Sequence, residues 1–230
     1  MAGTAKLLLF DVDGTLILSG GAGLRSVNRA FMDLFGLRDA MATCHPDGKT
    51  DPAIFSEVAR AHLKRDLSDS EKSAVAGAYL EALRGEVSRS PGYEIMPGVT
   101  ALLEALSSDG RLFLGLATGN LEAGARIKLG RAGLDRYFAF GGYGSDDERR
   151  DRLVAIAITR GQRVAGRDFP PEDIIVIGDT TRDIDAARAV GVRALVVPTG
   201  STPVSDLAGH NPDAILDDLS DVEAFLSAIA

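Results

Sequence analysis

The chain has 230 residues, 45% of them hydrophobic and 25% charged, which are proportions of an ordinary globular protein with room for one large domain or a domain carrying an insert. Asp and Glu outnumber Lys and Arg by 33 to 25, a net charge of −8 without any dense basic block, which argues against a nucleic-acid partner. The single cysteine, Cys44, cannot close an internal disulfide, and neither a signal peptide nor a bilayer-spanning apolar run is evident, so cytoplasmic residence without a membrane partner is expected.

Leu7 to Phe10 is a short apolar run that stops at Asp11-Val12-Asp13-Gly14-Thr15. Such a run, bounded by a turn signal, reads as a buried strand. Two acids so close together repel, and a cation, a shared proton or a basic partner must offset them. Beyond it, Ser19 to Gly23 is a glycine-rich linker. It does not complete a dinucleotide-binding G-x-G-x-x-G pattern, because Ser26 stands at the third glycine.

Helices follow. Leu24, Val27, Phe31, Leu34 and Phe35 recur at helical spacing before Gly36. Asp51 fits an N-cap with Pro52 at the first helical position, ahead of Ile54, Phe55 and Val58. Ser68 and Glu71 form a capping box for a helix with Val75, Tyr79, Leu80, Leu83 and Val87 on one face. No strand is predicted between Ser19 and Gly92.

The pattern then alternates. A helix through Val99, Leu102, Leu103 and Leu106 precedes a strand from Leu112 to Ala117, which stops at Thr118-Gly119-Asn120. A weaker strand spans Tyr137 to Phe140, followed by a loop from Gly141 to Asp147 and a helix marked by Leu153, Ile156 and Ala157. Ile174 to Ile177 is a strand stopping at Gly178-Asp179, and Ala194 to Val197 is another after a helix through Ile184, Ala187 and Val190. This alternation predicts an α/β, Rossmann-like three-layer core with a mostly parallel sheet. The expected division is a core of residues 1–18 and 93–230, with residues 19–92 inserted as a helical domain.

Three predicted strands end in polar residues suited to one site: Asp11 and Asp13, Thr118 and Asn120, Asp179 and Asp183. An oxygen-rich acidic cluster suits Mg²⁺ with a substrate phosphate. Thr118 lies before a helix N-terminus, where free N–H groups favour an anion. A positive group is also needed, and Glu148-Arg149-Arg150-Asp151-Arg152 offers candidates. Taken singly, Asp11 and Asp13 read as turn formers, Asp179 and Asp183 as helix caps, and Arg150 as a surface charge. Their joint occurrence after separate strands points to a site. His45, His62 and His210 share no spacing with Cys44 that would suit zinc.

These residues resemble the phosphatase branch of the haloacid dehalogenase superfamily, across the whole chain. Asp11-Val12-Asp13-Gly14-Thr15 is similar to its first motif, Thr118 to its second and Gly178-Asp179-Thr180-Thr181-Arg182-Asp183 to its fourth. The insert resembles the family's C1 cap, and phosphoglycolate-phosphatase-like enzymes are the most similar members. The third motif usually supplies a Lys, and none follows Lys128; Arg150 is the expected replacement, with Arg149 next. The resemblance implies a phosphatase for a small phosphorylated metabolite, with Asp11 as nucleophile and Asp13 as acid and base. It implies Mg²⁺ held by Asp11, the Asp13 carbonyl and Asp179 with support from Asp183, and phosphate bound by Thr118, Gly119, Asn120 and Arg150. The acid at Asp13 favours an oxygen leaving group. Lys49 is a candidate for reading a substrate carboxylate or second phosphate, beside the reading of a solvated loop lysine. A phosphomutase is the alternative, with a phospho-switch or a non-catalytic binding protein behind it.

Overall fold

The computed structural model describes residues 4–230. A six-stranded sheet runs in the order β5-β4-β1-β6-β7-β8, with every pairing parallel. The strands are β1 (Lys6–Phe10), β4 (Leu112–Thr118), β5 (Phe140–Tyr143), β6 (Ile174–Gly178), β7 (Arg193–Val196) and β8 (Ala214–Ile215). The chain steps from β1 to β4 and β5 on one side, then returns to β6, β7 and β8 on the other. The order therefore reverses between β1 and β6, and ligands of open α/β sheets bind beyond the carboxyl ends at such a reversal.

Alternation along β1 serves both faces. Leu8 and Phe10 pack with α4 (Val99–Ser107), α5 (Glu122–Gly130) and α9 (Val222–Ile229), while Leu7 and Leu9 pack with α6 (Arg150–Ala165), α7 (Thr181–Ala189) and α8 (Val204–Gly209). All four side chains are fully buried, which is why this parallel strand reads as a continuous apolar run.

Between β2 (Ile17–Ser19) and β3 (Tyr93–Ile95), α1 (Ala22–Phe35), α2 (Asp51–Leu63) and α3 (Asp69–Arg89) build an apolar cluster of their own. β2 and β3 pair antiparallel, Ser19 opposite Tyr93, so the two crossings between sheet and helices are tied together. Gly20, at φ +60, touches Gly92 there: an added Cβ would lie 2.4 Å from the Gly92 carbonyl carbon.

Several local expectations are corrected. The strand expected at Tyr137 to Phe140 lies three residues later. Asp135–Tyr137 forms a short 3₁₀ turn, and Gly141 and Gly142, read as loop, belong to β5. They suit the strand because α6 lies directly over it: a Cβ on Gly142 would stand 1.9 Å from the Leu153 carbonyl oxygen. Thr50, not Asp51, caps α2, its hydroxyl accepting from the Ala53 N–H. Leu24 and Leu34 of α1 are exposed, its buried face being carried by Ala22, Val27, Ala30 and Phe31. The two-residue β8 lies in a stretch for which no strand was expected.

Gly142→Ala should force α6 away from β5 and cost about 1–3 kcal/mol, as overpacking does. Gly110→Ala, whose added methyl meets nothing within 4 Å, should stay within about 0.5 kcal/mol. Urea unfolding of the two variants checks this; equal midpoints would contradict the packing described.

Candidate active site

β1 and β6 place Asp11 and Asp179 side by side. Their ladder pairs Phe10 with Ile177, and the Asp11 N–H donates to the Ile177 carbonyl at 2.8 Å. The two acids thus leave adjacent strand ends in one direction. The turn after Asp11 needs glycine: Gly14 has φ +84, and a Cβ there would lie 2.3 Å from Asp179 Oδ2. Thr15 Oγ1 donates to Asp179 Oδ1 at 3.1 Å. Asp183, in the first turn of α7, accepts from the Thr180 N–H at 3.1 Å and hydroxyl at 2.7 Å through Oδ2, closing a capping box. Capping and site membership hold together for this residue.

Oxygens of Asp11, Asp179 and Asp183 all lie within 4.8 Å of one another, and the three residues are buried. Burial pushes the Asp11 carboxyl up to about 6, with the Arg150 charge opposing and Asp183 reinforcing the rise. Burial, then the charges of Asp183 and Asp11, holds the Asp179 carboxyl well above its ordinary range. Buried hard oxygens that resist losing protons are a donor set a small divalent cation would stabilise, and they fit Mg²⁺. Asp183 has its oxygens engaged by Arg150 and Thr180, so Asp11 and Asp179 have the freer carboxylates.

Arg150, at the start of α6, supplies the positive charge. Its Nη2 lies 2.8 Å from Asp11 Oδ2, its Nε donates to Asp183 Oδ1 at 3.0 Å and its Nη1 to the Gly48 carbonyl at 3.1 Å. Burial alone would pull this guanidinium down, but Asp11 and Asp183 outweigh it and hold it above its ordinary value. Arg149 points elsewhere: its side chain is 62% exposed and pairs with Asp151.

Thr118, fully buried, ends β4; its Oγ1 accepts from Asn120 Nδ2 at 2.8 Å. Asn120 Nδ2 also donates to Asp13 Oδ2 at 2.8 Å. Gly119 meets the loop before α2, where a Cβ would lie 2.3 Å from the Lys49 carbonyl oxygen. Asp11, Asp13, Thr118, Gly119, Asn120, Arg150 and Asp179 share one cavity of about 310 Å³. Asp183 stands behind its wall. Leu24, Val27, Ile54 and Tyr79 from the helices, with Met41 from the turn after α1, also line it. Lys49 lines this cavity too, with its ammonium paired to Glu57.

Two residues of the site were not singled out from sequence for the roles they hold. Lys128 is only 4% exposed and reaches Asp13 Oδ2 and Asn120 Oδ1, each at 2.6 Å. The signal was a lysine sharing the buried face of α5 with Gly124, Ala125 and Leu129. Asp51, read as a cap, accepts instead from the Leu121 N–H at 2.8 Å while its own N–H donates to the Gly119 carbonyl at 2.7 Å. It fastens the helices to the loop after β4.

A family model for haloacid dehalogenase-like hydrolases matches residues 5–191. The chain is 27% identical over 223 residues to a phosphoglycolate phosphatase of Synechococcus elongatus, covering 94% of this chain and 95% of that one. A solved hydrolase from Pseudomonas syringae superposes with a TM-score of 0.73 at 20% identity, covering 99% of this chain and 100% of the other. A β-phosphoglucomutase from Clostridium difficile gives a TM-score of 0.73 at 15% identity, covering 99% and 97%. At these identities the two structures speak for the fold alone.

Burial pushes the Asp51 carboxyl to about 6, against the Lys128 charge and the Leu121 N–H. A carboxyl raised on folding binds its proton more tightly in the folded state. Its stabilising effect is present at low pH and is lost as pH climbs from about 4 to about 6. Asp51→Asn keeps an acceptor for the Leu121 N–H and removes the titration. Its Tm should gain on wild type across that window and hold a constant advantage above it; parallel Tm curves would contradict the burial argument.

Proposed function

The chain belongs to the haloacid dehalogenase-like hydrolases, and on that premise we propose that it is a Mg²⁺-dependent phosphatase acting on a small phosphate monoester through an aspartyl-phosphate at Asp11. The observation that carries this reading is the buried group of Asp11, Asp179 and Asp183 with Arg150 bound to two of them. Residues 19–92 serve in this reading as a cap over residues 1–18 and 93–230.

Asp11, the Asp13 backbone carbonyl and Asp179 would hold the ion, with Asp183 behind them. Bound there, Mg²⁺ offsets the repulsion between an anionic nucleophile and an anionic phosphate. An Asp11 carboxylate oxygen attacks phosphorus in line, and the bond from phosphorus to the ester oxygen breaks. Arg150 and Thr118, with the Gly119 and Asn120 backbone beside them, bind the equatorial oxygens as their charge redistributes. Asp13 gives its proton to the departing alkoxide. It then takes one from the water that attacks the aspartyl-phosphate, which releases inorganic phosphate and restores the Asp11 carboxylate.

A cavity of about 310 Å³ suits a small ester. The relative named phosphoglycolate phosphatase supports a phosphoglycolate-like substrate. The Lys49–Glu57 pair beside the cavity leaves Lys49 as a candidate reader of a substrate anion. The phosphomutase reading uses the same residues and rests on shared fold; steady phosphate release without a sugar bisphosphate separates the two. Cytoplasmic residence is part of the proposal, in keeping with the lone Cys44. Among the described residues, no helix is long and apolar enough to cross a membrane.

Hydrolysis of p-nitrophenyl phosphate should require Mg²⁺, stop with a chelator and fall to background in Asp11→Asn. Arg150→Ala should lower kcat by roughly 10²–10³, the loss typical of a transition-state donor, with Arg149→Ala near wild type. Equal rates for wild type and Asp11→Asn would refute the nucleophile, and a loss confined to Arg149→Ala would refute the choice of arginine.

A further inference from the structure

A lysine at 4% exposure is rare unless its charge is matched. Burial draws the Lys128 ammonium down, but Asp13 and Asp51 prevail and hold it charged. Its two contacts, Asp13 Oδ2 and Asn120 Oδ1, are both residues of the site. They also orient the Asn120 amide. With Oδ1 facing the ammonium, Nδ2 must face Asp13 Oδ2 and Thr118 Oγ1, as observed. Lys128, Asn120 and Asp13 therefore form a closed ring of hydrogen bonds. Asp13 enters it through Oδ2 alone, although its side chain is 39% exposed and otherwise free to turn.

We propose that Lys128 is a positioning residue acting through Asp13: with Asn120 it clamps Oδ2, so that Oδ1 faces the ester oxygen that departs. The proposal rests on the phosphatase reading and deepens it. Clamping one oxygen leaves the other in a fixed direction, and proton transfer requires the donor within hydrogen-bond reach of the departing oxygen. Thr118 joins the same amide, so the phosphate-binding hydroxyl and the acid keep a set relation. The ring also lies where helices and core meet. A Cβ on Gly23 of α1 would come within 3.8 Å of Lys128 Nζ and 3.9 Å of Tyr79 Oη. A purely structural counter-charge would bind the same atoms, and kinetics tells the two apart.

The test compares kcat/KM for phenyl phosphate, whose leaving oxygen needs a proton, with that for p-nitrophenyl phosphate, which departs without one. Lys128→Met should lose roughly tenfold or more on the first, a part of the roughly 10²–10⁴ that general acid catalysis supplies, and less than about threefold on the second. The double variant Asp13→Ala/Lys128→Met should lose no more than Asp13→Ala alone, because Lys128 acts through that carboxylate. If Lys128→Met fails to fold, Lys128→Gln, which keeps a polar group in the ring and removes the charge, should show a smaller split in the same direction. Equal losses on both esters, or additive losses in the double variant, would overturn the proposal. A wild type that hydrolyses neither ester would bring down the phosphatase reading itself, and this proposal with it.

Discussion

Three carboxylates buried within 4.8 Å of one another are an arrangement that repulsion and desolvation both oppose. It persists because Arg150 is buried among them, held by Asp11 and Asp183 at once. Much else in the fold serves that grouping. The strand order reverses between β1 and β6, so Asp11 and Asp179 leave neighbouring strands. Gly14 and Gly200 admit the Asp179 side chain, where a methyl on either would collide with its Oδ2 at 2.3 or 1.8 Å. Gly142 and Gly161 let α6 press on the sheet and bring Arg150 to its partners.

The same arginine reaches beyond the core. Its Nη1 binds the Gly48 carbonyl, Thr50 Oγ1 donates to the Glu148 carbonyl, and Asp51 bonds on both sides of the Gly119–Leu121 turn. The segment from Gly48 to Asp51 is thus fastened to the residues that would hold phosphate. Apolar side chains of α1 and α2 line the cavity together with the acids. Assembly of the charged group and fastening of the segment before α2 thus share one arginine.

Parts of this were legible in the sequence for a definite reason. Parallel strands buried on both faces read as unbroken apolar runs, and where such a run ends the position of the polar residues that follow is set. Asp11, Thr118 and Asp179 were placed at strand ends that way. Ser68 and Glu71 form their capping box as read, because capping is local. What was missed depends on packing between distant segments. β5 consists largely of glycine and aromatic residues chosen for the approach of α6, and it carries no strand periodicity. Arg150 was preferred to the chemically identical Arg149 by its distance from Leu153, and it is the direction taken at the first residue of α6 that sends its side chain to the acids. Lys128 lies on an apolar helix face, and its meaning depends on Asp13, 115 positions away. Asp51 looked like a cap because its bond to Leu121 spans 70 positions.

The central claim is that Asp11, crowded by two further acids and relieved by Arg150, takes the phosphoryl group onto its own side chain. Acid quenching of the enzyme during turnover, followed by mass spectrometry of its peptides, tests this most directly. The expected result is a labile phosphoryl adduct on Asp11, lost on standing in base and absent from Asp11→Asn. A turning-over enzyme whose adduct lies on another residue, or that shows none when quenched before the hydrolysis step completes, would contradict it.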